Sequence, residues 1–130
     1  MKINSYRDLT VWQLAMQLTE DVYRITSTFP NKEIYALTNQ LQRAAVSIPS
    51  NLAEGHARSS TKDYLRFISI AMGSLAELET QIELSKRLGY IDQSKLGEML
   101  AKADELGRML QSLRKALKSK LDLSSLAPSP

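Results

Sequence analysis

The stretch AAVSIPSNLAEGHA, Ala44 to Ala57, sets a proline inside what otherwise reads as a helix. Whether Pro49 ends that helix or is carried through it decides the number of elements. The apolar residues around it give the answer. Ile34, Leu37, Leu41, Ala45, Ile48 and Leu52 recur at intervals of three and four, the stripe of an amphipathic helix. Leu41, Ala45, Ile48 and Leu52 stay on one face across the proline. A chain that broke at Pro49 would have no reason to hold that phase. The spacing therefore predicts one helix from about Glu33 to Glu54. Its bend is expected where the Ala45 carbonyl loses its N–H partner and meets the pyrrolidine ring. An interior proline costs about 3 kcal/mol, and Ser47 or Ser50 is expected to satisfy part of what it frees. Gly55 offers the helix end.

Upstream, Val11, Ala15, Leu18, Val22, Ile25 and Phe29 form a first stripe, started by Asp8 or Thr10 and stopped by Pro30. Downstream, HARSST reads as a turn. Ser59, Ser60 or Thr61 can cap a third helix, with Asp63 in its first turn. That helix carries Tyr64, Ile68, Ala71, Leu75, Leu78 and Ile82 and closes at Gly89, after Lys86 and Arg87. Asp92 caps a fourth, with the stripe Leu96, Met99, Ala103, Leu106, Leu110, Leu113 and Leu117. No strand-like alternation competes. The fold class is all-α, an antiparallel up-down-up-down four-helix bundle over residues 1–121. Its helices are expected to be about 20 to 29 residues and the rod roughly 35 Å long. Residues 122–130, ending in Pro and Ser, read as a flexible tail.

The bulk properties exclude more than they suggest. At 130 residues the chain is one domain's worth, able to bury a core without disulfides. It has no cysteine and a net charge of +3, which together fit a cytoplasmic protein. The N-terminus has no clean apolar region of a signal peptide, and no run approaches a membrane span. His56, the single histidine, has no second ligand at a helical spacing and reads as a plain turn residue. Glu77, Glu79 and Glu83 lack the Glu-x-x-His pattern of a di-iron bundle. No catalytic site, metal or cofactor is expected.

Three flanks beside the core stripes carry information. Arg43, Ser47, Asn51 and Glu54 lie at i, i+4, i+8 and i+11 on the second helix, and Arg66, Ser74 and Glu77 on the third. Folding about Arg58 and Ser59 brings the two sets together. Ion pairs Arg43–Glu77 and Arg66–Glu54 are expected, in a network that fixes register and a subunit contact, or else in a surface facing RNA or a partner. An apolar flank, Trp12, Met16 and Tyr23 with Leu65, Met72 and Ala76, exceeds the one face a monomer needs. It is expected to be an oligomer interface, the alternative being a wider monomer core. Finally, Arg108, Arg114, Lys115, Lys118 and Lys120 occur with no acid between Leu106 and Leu121. Arg108, Gln111, Lys115 and Lys118 line one outward stripe. Either they suit the helix dipole or they meet phosphates.

The run from Asn39 to Ile91, above all SIPSNLAEG (Ser47–Gly55) and GSLAELETQ (Gly73–Gln81), resembles the small bacterial four-helix-bundle family also called 23S rRNA intervening-sequence or S23 proteins. DLTVWQLAMQL, from Asp8, matches the first helix of that family. The resemblance covers about residues 6 to 115. It implies a four-helix bundle, pentameric barrels in several members, and no established enzymatic activity. It also implies a link to nucleic acid. Some members are encoded inside 23S rRNA genes, and a related branch, the accessory variability determinant of diversity-generating retroelements, partners a reverse transcriptase. The expectation is a non-enzymatic homopentameric adaptor. It would touch RNA or DNA through Arg108, Arg114, Lys115 and Lys118, with a nucleic-acid enzyme as a further partner. The alternative is a protein-interaction scaffold with no direct nucleic-acid role.

Overall fold

A computed structural model of the chain describes residues 5–125. Four α-helices make it up: α1 Thr10–Thr26, α2 Leu37–His56, α3 Thr61–Arg87 and α4 Gln93–Ser125. Short 3₁₀ turns stand at Tyr6–Asp8 and Asn31–Glu33, and the described residues contain no strand. Each helix packs against the next, and α4 closes against α1, as in an up-down-up-down bundle. The core is built from the expected stripes, except that Ile34, which lies before α2, is 48% exposed. Leu18, Leu41, Ile48, Leu52, Ile68, Leu78, Ile82, Leu106 and Leu110 are all essentially inaccessible.

The helix ends follow local chemistry. Ser60 caps α3, its Oγ accepting from the Asp63 N–H at 3.0 Å, and Asp92 Oδ1 accepts from the Lys95 N–H at 2.8 Å at the start of α4. At the end of α3, Gly89 takes φ +80°. The Tyr90 N–H reaches back to the Ser85 carbonyl at 2.9 Å and the Gly89 N–H to that of Lys86 at 3.0 Å. This pair of bonds is the Schellman closure, and its left-handed position favours glycine.

Pro49 lies inside α2, which is continuous through it. The freed Ala45 carbonyl is satisfied from another helix. Thr19 Oγ1, on α1, lies 3.1 Å from it. The same hydroxyl is 2.8 Å from the Ala15 carbonyl of its own helix, so one proton is shared between two acceptors. Ser47 and Ser50 do not take this part. Ser47 is turned towards Ser74 and Asn51, and Ser50 is exposed.

Three boundaries differ from the sequence reading. First, α2 begins at Leu37 rather than Glu33. Asn31–Glu33 winds tightly behind Pro30, and Ala36, at φ −125° and ψ −108°, breaks the helix. The Glu33 carboxylate instead accepts the Tyr90 hydroxyl at 2.6 Å, which ties this turn to the α3–α4 corner and raises the Tyr90 pKa. Second, Gly55, where the sequence sets the end of α2, lies one residue inside that end, and it is not a left-handed cap. Its φ is not positive, and the helix runs on to His56. Third, α4 continues through Ser125, so residues 122–125 extend the helix, while residues 126–130 of the expected tail lie outside the described residues. The helices are also less equal than expected, with 17 residues in α1 against 33 in α4. At 1.5 Å per residue α4 is about 50 Å long. Leu75 sits against Gly107, and this antiparallel register sets Thr61 opposite residue 121. The end of α4 therefore overhangs the start of α3.

Candidate nucleic-acid interface

The registers Thr19 to Ala45, Ser47 to Ser74 and Leu75 to Gly107 divide the bundle into two halves. The lower half, residues 5–18, 47–74 and 107–125, carries nine Lys or Arg and four Asp or Glu. The upper half, residues 19–46 and 75–106, carries seven and ten. The small net charge of the chain thus hides a polar molecule, basic at one end and acidic at the other. Such a sorting focuses potential at the basic end.

On α4, Arg108, Lys115, Lys118 and Lys120 are exposed and Arg114 is half-buried. Arg108 lines a groove of about 590 Å³ between α3 and α4, with Met72, Ala76, Glu79, Asp104 and Gly107. Gln111 and Ser112 continue it into a concavity of about 440 Å³ along Arg114, Lys115 and Lys118. The groove changes sign along its length. At its upper end burial, helped by the Asp104 charge, raises the Glu79 pKa. The lower end holds only cations and Asp122 as charged groups.

A second group of cations gathers at the α2–α3 corner. The guanidinium carbons of Arg58 and Arg66 lie 4.8 and 4.9 Å from the centroid of the same ring, Phe67. Arg58 also stands 4.0 Å from Glu54, both exposed, a pair that contributes about 0–1 kcal/mol. The expected Arg66–Glu54 and Arg43–Glu77 ion pairs are absent from the described residues. The Phe67 ring engages Arg66, Glu54 turns to Arg58 one helical turn on, and Arg43 is exposed.

The rest of the polar flank assembles in part. The Ser47 and Ser74 hydroxyls are 2.8 Å apart, and Asn51 Nδ2 donates to the Ser47 carbonyl at 2.7 Å and its Oγ at 2.9 Å. This triad links α2 to α3. Arg43 and Glu77 line the same groove, beside Gln81, whose Oε1 is buried without a partner.

The 23S rRNA-intervening sequence protein family matches the chain over residues 7–112. The chain belongs to that family. It is also similar, at 21% identity, to a crystal structure from Bacteroides thetaiotaomicron VPI-5482, described as a protein of unknown function from the S23 ribosomal protein family. The TM-score is 0.73, with 82% of this chain and 99% of that one covered, a likeness that speaks for the fold. No curated protein matches. In this intervening-sequence protein the matched range ends at Ser112. It therefore contains Arg58, Arg66, Phe67 and Arg108 but stops short of Arg114, Lys115 and Lys118.

The apolar flank is divided. Trp12, Leu65 and Met72 are half-buried against the core, as in the wider-core alternative. Trp12 meets Tyr6 edge-on at 5.2 Å, so the first 3₁₀ turn folds over it. Met16 and Tyr23 stay exposed. Sequence reasoning missed other exposed apolar side chains, among them Tyr35 at 93% and Leu88 at 49%, because Tyr35 falls outside any periodic stripe and Leu88 follows the last turn of α3. His56 stands edge-on to Tyr64 at 6.0 Å. Among the described residues no His, Cys, Asp and Glu group could hold a metal, and no helix is long and apolar enough to cross a membrane.

Proposed function

We propose that this 23S rRNA-intervening sequence protein is a non-enzymatic adaptor that holds nucleic acid by its phosphates, through the basic lower end of the bundle. The observation that carries the reading is the sorting of charge, with Arg108, Arg114, Lys115 and Lys118 on the lower half of α4, alongside the first turns of α3. Cations at a helix C-terminus also favour the dipole. That effect falls off within the last turn, however, and Arg108 and Arg114 lie well before it. A cytoplasmic setting suits a chain without cysteine.

Affinity should fall steeply with salt, because each neutralised phosphate releases counterion. Replacing Lys115 and Lys118 by Gln is expected to lower affinity about tenfold and flatten the plot of log K against log[salt] by roughly one to two units. Folding should be unchanged, since both side chains are exposed. Fluorescence anisotropy of labelled RNA over a salt series measures this. Unchanged affinity and slope would reduce the basic stripe to a solvated helix end.

The adaptor is further proposed to be a homopentamer, as the family resemblance implies. Exposed Met16, Tyr23, Tyr35 and Leu88 supply apolar surface for subunit contact. Five copies of the basic end would multiply a weak field. Light scattering should give five times the 14.6 kDa chain mass, and a persistent monomer at micromolar concentration would remove this part.

A further inference from the structure

Arg58 and Arg66 reach one ring from two elements. Arg58 stands in the α2–α3 turn and Arg66 on the second turn of α3, yet both guanidinium groups lie over Phe67. Phe67 itself is buried, at 6% exposure, so it is a fixed platform rather than a stacking surface for a base. Like charges gathered this way repel. Arg66 has no described carboxylate within 4.0 Å, and Arg58 has only the exposed, marginal Glu54 contact. Their planar N–H forks are left for an acceptor, and the fork geometry matches phosphate oxygens.

The corner is not isolated from α4. Lys62 is exposed and shares a face with Arg66 at i+4. It also stands on the heptad row Lys62, Ser69, Ala76, whose upper member lines the α3–α4 groove. The register that sets Thr61 opposite residue 121 brings this row level with Arg114 and Lys118. A band of cations therefore crosses α3, from the α2–α3 corner to α4, over on the order of 20 Å, two interaxial spacings.

Resting on the phosphate-binding function proposed above, we infer that Arg58 and Arg66, held over Phe67, form the second half of a surface whose first half is Arg114, Lys115 and Lys118, and that the two together grip the backbone of double-helical nucleic acid. Duplex is favoured over single strand by the aromatic residues. Single-strand surfaces stack bases on exposed rings. Here the lower-half rings are spent internally, Tyr6 on Trp12, Tyr64 on His56 and Phe67 on the two arginines. The well-exposed tyrosines, Tyr23 and Tyr35, lie in the acidic upper half. Phosphates positioned without base contacts make the grip indifferent to sequence.

The test uses the full chain with three labelled probes, a duplex RNA, a duplex DNA and a single strand of the same length, titrated over a KCl series. The Arg58→Gln, Arg66→Gln double variant should lose about tenfold in duplex affinity and flatten the salt slope by roughly two units. The Arg58→Lys, Arg66→Lys variant should keep the slope. Glu54→Gln, which removes the acid beside Arg58, should raise duplex affinity severalfold. The two duplex arms separate RNA from DNA as the source of the shared phosphate chemistry. If Lys115→Gln, Lys118→Gln weakens binding while the arginine variants and Glu54→Gln leave it unchanged, the corner has no part and only the function reading survives. A parent chain that binds none of the probes overturns that reading itself. Tighter binding of the single strand overturns the duplex assignment. Should the double Gln variant melt at the assay temperature, Glu54→Gln decides alone, and no gain in affinity there defeats the inference.

Discussion

Gly55→Val is expected to destabilise the bundle by about 3 kcal/mol or more, the upper range for overpacking a closed contact. A Cβ on Gly55 would stand 2.8 Å from Tyr64 Cδ1 and 2.9 Å from Phe67 Cβ. The tyrosine ring can swing. The Phe67 Cβ cannot, because it is fixed to the α3 backbone, so α2 and α3 must separate at this contact. The loss would be a large part of the roughly 5–15 kcal/mol that holds a domain of this size together. Gly55→Ala should cost less, since alanine gains up to about 1 kcal/mol over glycine inside a helix. Urea and thermal unfolding measure both. A valine variant that melts with the parent would mean that the corner opens freely. The damage should also reach the candidate site, because Phe67 is the platform for Arg58 and Arg66.

Gly55 also marks the boundary of what the sequence makes legible. The periodic stripes give the four helices, their order and nearly the whole core, because burial of one face leaves a three–four rhythm. A glycine after such a stripe reads as a helix end, and at Gly89 that is correct. At Gly55 the helix does end one residue on, but the same residue type also answers a different need, the approach of a second helix, and nothing local reveals that second role. The candidate site divides in the same way. The run of cations on α4 is contiguous and therefore visible. Arg58 and Arg66 are separated by a turn and joined only through Phe67, so their pairing depends on tertiary geometry. The expected Arg66–Glu54 contact failed because wheel positions place faces, not side-chain ends, and both partners found nearer groups.

Pro49 makes α2 depend on α1 for one hydrogen bond. Thr19→Val is expected to destabilise the chain by about 1–3 kcal/mol, the cost of leaving a buried acceptor without a partner. Ala45 is wholly inaccessible, its carbonyl has no N–H from position 49, and Thr19 Oγ1 at 3.1 Å takes that place. The second bond of that hydroxyl, to the Ala15 carbonyl, contributes little by comparison, because that carbonyl already takes the Thr19 N–H within α1. Pro49→Ala restores an N–H to the helix and removes the ring that crowds Ala45. In that background Thr19→Val should cost only a few tenths of a kcal/mol, since the carbonyl regains its own helical donor. The coupling in the double-mutant cycle should therefore be about 1 kcal/mol or more. Strict additivity would show instead that the hydroxyl proton belongs to Ala15 and that the helix carries Pro49 without help from α1. Coupling would show that α1 supplies what the proline removes, which makes the residue that interrupts the second stripe also one that fixes the register of α2 against α1.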